Sequence, residues 1–115
     1  MSEEKITRGT AKVYFVNEHP YVYASLCDIK PGMGMIQIHS DWGYYCSFWG
    51  GMGSHTIAQF VTGCDAGYIM RCFSERMMFM RPKKDADGLL HHFMIECWPR
   101  LVAEIKADLQ PKVPS

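Results

Sequence analysis

The chain has 115 residues, carries 12 Lys+Arg against 12 Asp+Glu, and has a formal net charge of +0. Its length fits one domain, and the charge balance argues against a protein that works mainly by coating nucleic acid, which usually needs a basic excess. Hydrophobic residues make up 48% and aromatic residues 13%, which excludes wholesale disorder and is enough for one hydrophobic core.

The sequence also indicates the cellular compartment in which the protein acts. The sequence has no apolar run of bilayer-spanning length, and its first ten residues are polar, unlike a secretory signal. We therefore expect a cytoplasmic protein that does not associate with membranes. The five cysteines are odd in number and lack paired spacing, which predicts reduced thiols rather than disulfides; they are Cys27, Cys46, Cys64, Cys72 and Cys97.

The first half of the chain predicts strands. Residues 11–16 and 44–49 are rich in β-branched and aromatic side chains, and residues 21–29 and 35–39 alternate between apolar and polar positions, as half-buried strands do. Turn-forming residues separate these segments at 17–20, 30–34 and 40–43. The pattern predicts an antiparallel meander of three to four strands.

The second half predicts helices. Thr56 and Gln59 have the spacing of a capping box, which begins a helix that we expect to end at Gly63. Asp65 can cap a second helix. Pro82 is expected to end that helix, because proline lacks the backbone donor that a helix needs.

The C-terminal third predicts a charged linker at residues 83–88, followed by a long final helix capped by Asp87. Pro99 lies inside the apolar repeat of that helix, so we expect a kink or break near residues 95–98. Strands first and helices after indicate an α+β fold, with two or three helices packed on one face of the meander. We predict a single domain over residues 1–115, with loose tails at 1–10 and 110–115.

Candidate ligands for a metal and candidate nucleophiles are scattered. They are His39, Cys46, His55, Cys64, Cys72, His91, His92 and Cys97. None of them forms a close cysteine pair or a histidine pair one helical turn apart, which are the spacings that favour zinc. A Cys–His pair could come from Cys46 with His39 or from Cys64 with His55, but no local signature would lower the thiol pKa. We therefore predict a protein that is not an enzyme and has no metal or cofactor.

The glycines at 50–53 precede the first predicted helix. Backbone amides there could hold a phosphate or carboxylate, but the Gly-Lys-Ser/Thr ending of a P-loop is missing. A sharp connection between strand and helix, where side chains would clash, explains these glycines more simply.

An aromatic cluster is the strongest functional candidate in the sequence. Five aromatic residues fall between positions 42 and 49: Trp42, Tyr44, Tyr45, Phe48 and Trp49. Because a strand alternates, Tyr44 shares one face with Phe48, and Tyr45 shares the other face with Trp49. Tyr21 and Tyr23 are expected to join whichever face the helices leave uncovered. Such a face could anchor a protein partner or stack on unpaired bases.

A basic tract begins within the second predicted helix and continues into the predicted linker. It contains Arg71, Arg76, Arg81, Lys83 and Lys84, with Glu75 as the only acid among them. The tract could meet phosphate or an acidic protein surface, although such runs are often only solvated faces. The adjacent stretch at 77–80, Met-Met-Phe-Met, could be a homodimer contact or an edge of the core.

The segment from Ile36 to Phe73 resembles a group of small proteins encoded by tailed bacteriophages and prophages. The positions that carry the resemblance are Trp49, Gly50, Met52, Gly53, Thr56, Phe60, Cys64, Asp65 and Tyr68. The resemblance covers about a third of the chain and brings no catalytic residue with it. It implies a protein of the bacterial cytoplasm during phage growth or lysogeny.

Together these observations lead to a functional hypothesis. We expect a non-catalytic phage-type binding protein that inhibits or modulates a host nucleic-acid-processing or anti-phage defence complex, in the manner of an anti-CRISPR or anti-restriction protein. The alternative is an accessory of phage DNA metabolism that binds single-stranded nucleic acid directly. The residues predicted to bind the partner are Tyr44, Tyr45, Trp49, Arg76, Arg81 and Lys83.

Overall fold

A computed structural model describes residues 8–77 and 83–110 of the chain, and it describes side chains outside residues 76–87. Four strands precede four helices: β1 (Thr10–Val16), β2 (Val22–Lys30), β3 (Met33–Ser40), β4 (Gly43–Trp49), α1 (Ile57–Gly63), α2 (Ala66–Met77), α3 (Lys83–Glu96) and α4 (Trp98–Leu109). This order confirms the predicted α+β fold with an N-terminal meander.

The strands form one antiparallel sheet in the order β1-β2-β3-β4. The β2–β3 turn is tighter than the five residues predicted, since β3 already begins at Met33 and only Pro31 and Gly32 lie between the strands. Gly32 has φ +80°, and a Cβ there would lie 3.0 Å from the carbonyl oxygen of Gly53. Glycine is therefore required where this turn meets the loop before α1.

Alternation along the strands separates the two faces of the sheet. Val22, Ala24 and Leu26 of β2 are buried, as predicted, and Ile36 and Ile38 of β3 lie beside them. The helices cover this face and add buried side chains of their own: Ile57, Val61, Ile69, Phe73, Leu90, Phe93, Cys97, Trp98, Leu101 and Ile105. The core therefore lies between one face of the sheet and a single layer of helices.

Local signals in the sequence explain several helix boundaries. The Thr56 hydroxyl accepts a hydrogen bond from the backbone N–H of Gln59, and the Gln59 side chain accepts one from the backbone N–H of Thr56. This confirms the predicted capping box, and α1 ends at Gly63 as expected. The Asp65 carboxylate accepts from the backbone N–H of Gly67 at 3.0 Å in the first turn of α2.

The C-terminal third corrects one prediction. Residues 83–88 are the first part of α3 rather than a linker, so Asp87 lies inside the helix and does not cap it. The break predicted at Pro99 is confirmed, because α3 ends at Glu96 and α4 begins at Trp98 with the proline in its first turn. This break divides the predicted final helix in two, which raises the number of helices to four.

Some predictions lie outside the described residues. The stop at Pro82 and most of the 77–80 stretch belong to this group. Most of the predicted tails at 1–10 and 110–115 also lies outside the described residues. Thr10, which was assigned to the first tail, is the first residue of β1. No helix in the described ranges is long and apolar enough to cross a bilayer.

Candidate binding face on the sheet

One face of the sheet is not covered by any of the four described helices, and we call it the open face. Each strand contributes three side chains: Ala11, Val13 and Phe15 from β1; Tyr23, Ser25 and Cys27 from β2; Met35, Gln37 and His39 from β3; and Tyr44, Cys46 and Phe48 from β4. They alternate along each strand with the residues directed at the core, and therefore all lie on one surface.

Four rings cross the open face as a row, one from each strand: Phe15, Tyr23, His39 and Tyr44. The first two rings are 6.0 Å apart edge to face, the next pair 4.6 Å apart, and the last pair 4.3 Å apart. The Tyr23 hydroxyl is also hydrogen-bonded to Nδ1 of His39. These contacts hold the rings in fixed positions before any partner arrives, which lowers the entropy lost on binding.

The open face exposes much apolar surface. The exposed fractions are 56% for Phe15, 41% for Tyr23, 68% for Tyr44, 41% for Phe48 and 64% for Val13. At roughly 200 Å² per aromatic side chain, the four carbocyclic rings alone present about 400 Å² to solvent. Patches of this size are the largest that soluble monomers usually show, and they often mark interaction sites.

The open face also lacks formal charge. None of its twelve residues is Asp, Glu, Lys or Arg. Lys12 belongs to β1, but its side chain is directed to the helix layer, where its ammonium group contacts the carboxylate of Asp108 in α4. Depletion of charge together with enrichment in aromatic residues is the composition of the centre of a protein–protein interface.

The structure separates the three aromatic residues that the sequence predicted to bind a partner. Tyr44 lies on the open face. Tyr45 is 3% exposed and lies in the core, where its ring is 4.9 Å from that of Phe93 and its hydroxyl donates to the carbonyl of Trp42 at 2.7 Å. Trp49 is half-buried on the helix side and donates from Nε1 to the hydroxyl of Tyr68 at 3.0 Å. Only Tyr44 is therefore on the surface that carries the aromatic row.

Of the basic tract, the structure describes only the side chain of Arg71, which does not lie on the open face. Arg71 lies on α2, in the helix layer, with its guanidinium 6.0 Å from the ring of Tyr68. Arg76 belongs to α2 and Lys83 begins α3, but their side chains lie outside the described set, and Arg81 lies outside the described residues altogether. That the aromatic residues and the basic residues bind one partner together stays a prediction.

The thiols and histidines show no assembled site among the described residues. All five cysteines are free thiols, and no group of three or more potential ligands could hold a metal there. Cys64 and His55 lie beyond opposite ends of α1. Burial raises the pKa of the Cys64 and Cys97 thiols, which favours the less reactive protonated form. Cys46 and His39 do share the open face, but on different rows of the sheet.

The glycine-rich loop is a structural connection. The backbone N–H of Met52 donates to the carbonyl of Gly32 at 2.9 Å, and the Met52 side chain is buried. Gly53 has φ +65°, which glycine adopts without strain. These contacts fasten the β4–α1 loop to the β2–β3 turn.

Sequence reasoning did not select Val13, Phe15 or His39 for the binding face. In β1 large apolar residues occur on both faces, Val13 and Phe15 on one and Tyr14 and Val16 on the other, so alternation could not show which ones lie outward. His39 was considered only as a ligand or a base. His39 follows Gln37 by two residues and alternates with the apolar Ile36 and Ile38, so it lies on the face opposite the core. Antiparallel pairing of β2 with β3 then places it beside Tyr23.

Comparison with known protein families identifies a phage family. A model of a phage family matches residues 4–97, which include all four strands and therefore the entire open face. This match confirms the resemblance to phage proteins noted for residues 36–73. Neither the curated proteins nor the solved structures contain a match to the chain.

Proposed function

The chain belongs to a phage family, and we propose that it is a non-catalytic binding protein that inhibits or modulates a host complex for nucleic-acid processing or anti-phage defence. It would act in the bacterial cytoplasm by occupying a surface of that complex, as anti-CRISPR and anti-restriction proteins do. No catalytic step is needed for such an effect, because a bound protein excludes the substrate or the next subunit by its volume.

The observation that carries this proposal is the uncharged, aromatic open face. Buried aromatic residues supply most of the binding energy of many protein interfaces, and a charge-free centre avoids the cost of desolvating ions. The four-ring row is already ordered by ring contacts and by the Tyr23–His39 hydrogen bond. A partner that covers it gains apolar burial without having to order the rings.

The second candidate function is direct binding of single-stranded nucleic acid as an accessory of phage DNA metabolism. The four-ring row favours it, because exposed rings on a sheet can stack on bases. Such surfaces usually combine the rings with cations that follow the phosphates. The open face supplies none from its own residues, and this favours a protein partner.

The experiment starts from the tagged full chain in bacterial lysate, captured with and without nuclease and analysed by mass spectrometry. The partner recovered is then purified, and its affinity is measured for Tyr44→Ala and Phe48→Ala. We expect the affinity of each variant to fall about tenfold or more, because each substitution removes a large exposed ring from the open face. The free energy of unfolding of Tyr44→Ala should fall by no more than about 1 kcal/mol, since the exposed ring loses mainly its cross-strand contact with His39.

A matched control is Ile95→Ala on α3. Its side chain is 57% exposed, so it is as accessible as the rings, but it lies in the helix layer. We expect this variant to bind normally. Loss of binding in Ile95→Ala but not in Tyr44→Ala would move the interface to the helix layer, and capture that nuclease abolishes would favour the second candidate function.

A further inference from the structure

The strand β1 forms one edge of the sheet and is the most exposed of the four strands. Of its seven residues, only Tyr14 and Val16 are partly covered. Within the described part of the chain, β1 pairs with β2 along its whole length and with no other strand. Among the described strands its other side has no partner, so its outward backbone N–H and C=O groups are available to an incoming strand.

Of the features that usually protect edge strands, this edge has only one lysine. β1 contains no proline, and the β1–β2 register has no bulge. Its single charged residue is Lys12, whose ammonium group is occupied by Asp108. Val13 and Phe15 remain 64% and 56% exposed. A regular, largely apolar edge of this length favours pairing with another chain.

We propose that two copies of this chain pair through their β1 strands, antiparallel about a two-fold axis at Val13, to form one eight-stranded sheet. Val13 is the central residue of the strand, so this register pairs all seven residues. It places Phe15 opposite Ala11 of the partner subunit and Lys12 opposite Tyr14 of the partner subunit. The second copy is the occupant favoured here, because the edge is complementary to itself.

The charges agree with this register. Within one chain, the Tyr14 hydroxyl donates to the carboxylate of Asp108 at 2.7 Å. Lys12, which the register places opposite Tyr14 of the partner subunit, therefore also approaches the carboxylate of Asp108 of the partner subunit. Each Lys12 then lies between two carboxylates, and no two like charges are directly opposed. Opposite charges across paired strands stabilise the pair, whereas like charges would oppose it.

The dimer extends beyond the proposed function because it needs no host partner. It would join two open faces into one continuous surface, with both copies of Val13 and Phe15 near its centre. The two four-ring rows would then lie on the same side of a single sheet. A ligand that spans the axis could contact both.

The test uses two variants of the full chain, Val13→Lys and Val13→Asp. Sedimentation velocity over a concentration series should give a mass of about twice the 13.2 kDa chain for the unaltered protein. Each variant alone should be monomeric, because the axis brings two like charges together. An equimolar mixture of the two should regain the dimer, since opposite charges then meet at the axis.

Cys46 provides the matched control. It is exposed on the same row of the open face as Val13, but on the opposite edge strand, so Cys46→Lys and Cys46→Asp should remain dimeric. Slower, concentration-dependent hydrogen exchange of the β1 amides would support the edge pairing without any substitution. A monomer at every concentration, a dimer indifferent to charge at Val13, or a mixture that stays monomeric would overturn the proposal.

Discussion

At the scale of single residues, Asp108 joins the last helix to the edge of the sheet. Its carboxylate accepts a hydrogen bond from the Tyr14 hydroxyl at 2.7 Å and contacts the ammonium group of Lys12. Burial, and after it the hydrogen bond to this carboxylate, raises the pKa of Tyr14 to about 12. Tyrosinate is therefore disfavoured in the folded chain relative to the unfolded one.

This shift predicts how stability depends on pH. The folded pKa of Tyr14 lies above the ordinary tyrosine pKa of 10.0. Its contribution to the free energy of unfolding is therefore complete below pH 10 and is lost as pH rises towards about 12. In Tyr14→Phe we expect a loss of about 1 kcal/mol at pH 8, from the missing hydrogen bond. The difference from the unaltered protein should shrink between pH 10 and 12. Urea unfolding across this range measures it.

Two substitutions in α4 serve as controls for the pH dependence assigned to Tyr14. Asp108→Asn should lower the pKa of Tyr14 only in part, because burial is the larger cause, and tyrosinate absorbance in the folded protein reports this change. Glu104→Gln, exposed on the same helix, should leave the Tyr14 titration unchanged. A difference between Tyr14→Phe and the unaltered protein that stays constant up to pH 12 would contradict the assignment.

Residue alternation explains how far the binding face could be predicted from the sequence. It correctly separated Tyr44 and Phe48 from Tyr45 and Trp49. It could not tell which of these faces the helices would cover, because both carry large apolar rings. That choice depends on long-range packing, in which the ring of Tyr45 meets Phe73 and Phe93.

At the scale of elements, α1 depends on its first turn. The helix has only seven residues, and helices this short are unstable without caps and packing. Removing the hydroxyl by Thr56→Ala abolishes one half of the capping box. We expect a loss of about 1 kcal/mol in the free energy of unfolding, measured by chemical denaturation.

Thr62→Ala is the matched control in the same helix. The Thr62 hydroxyl donates to the carbonyl of Ala58 at 2.7 Å, a carbonyl inside the helix, and alanine has the higher helix propensity. This variant should be neutral or slightly more stable. Equal losses in the two variants would mean that the cap contributes nothing specific to α1.

The elements also show where sequence patterns are insufficient. Caps and breakers act locally, so Thr56, Gly63 and Pro99 could be identified without the fold. The beginning of α3 could not, because residues 83–88 combine charges with a glycine and resemble a linker. Helix continues through them into Leu90 and Phe93, whose burial against the sheet stabilises α3 as a whole.

At the scale of the whole molecule, charge is distributed so that one side is neutral. The chain has a formal net charge of +0, and the open face has no formally charged residue. Contacts made there should depend on apolar burial more than on ionic attraction. Salt would then have little effect on the affinity for a protein partner.

This distribution predicts weak binding to single-stranded DNA. For the full chain and a labelled oligothymidine near physiological salt, we expect a Kd weaker than about 100 µM by fluorescence anisotropy, because few phosphates can be neutralised. Tyr44→Ala should leave this weak binding unchanged, since the ring would not be stacked on bases. The contrary result would be tight binding that weakens steeply as salt is added and that is lost in Tyr44→Ala. It would show that the four-ring row stacks on bases, and that cations from outside the open face contact the phosphates.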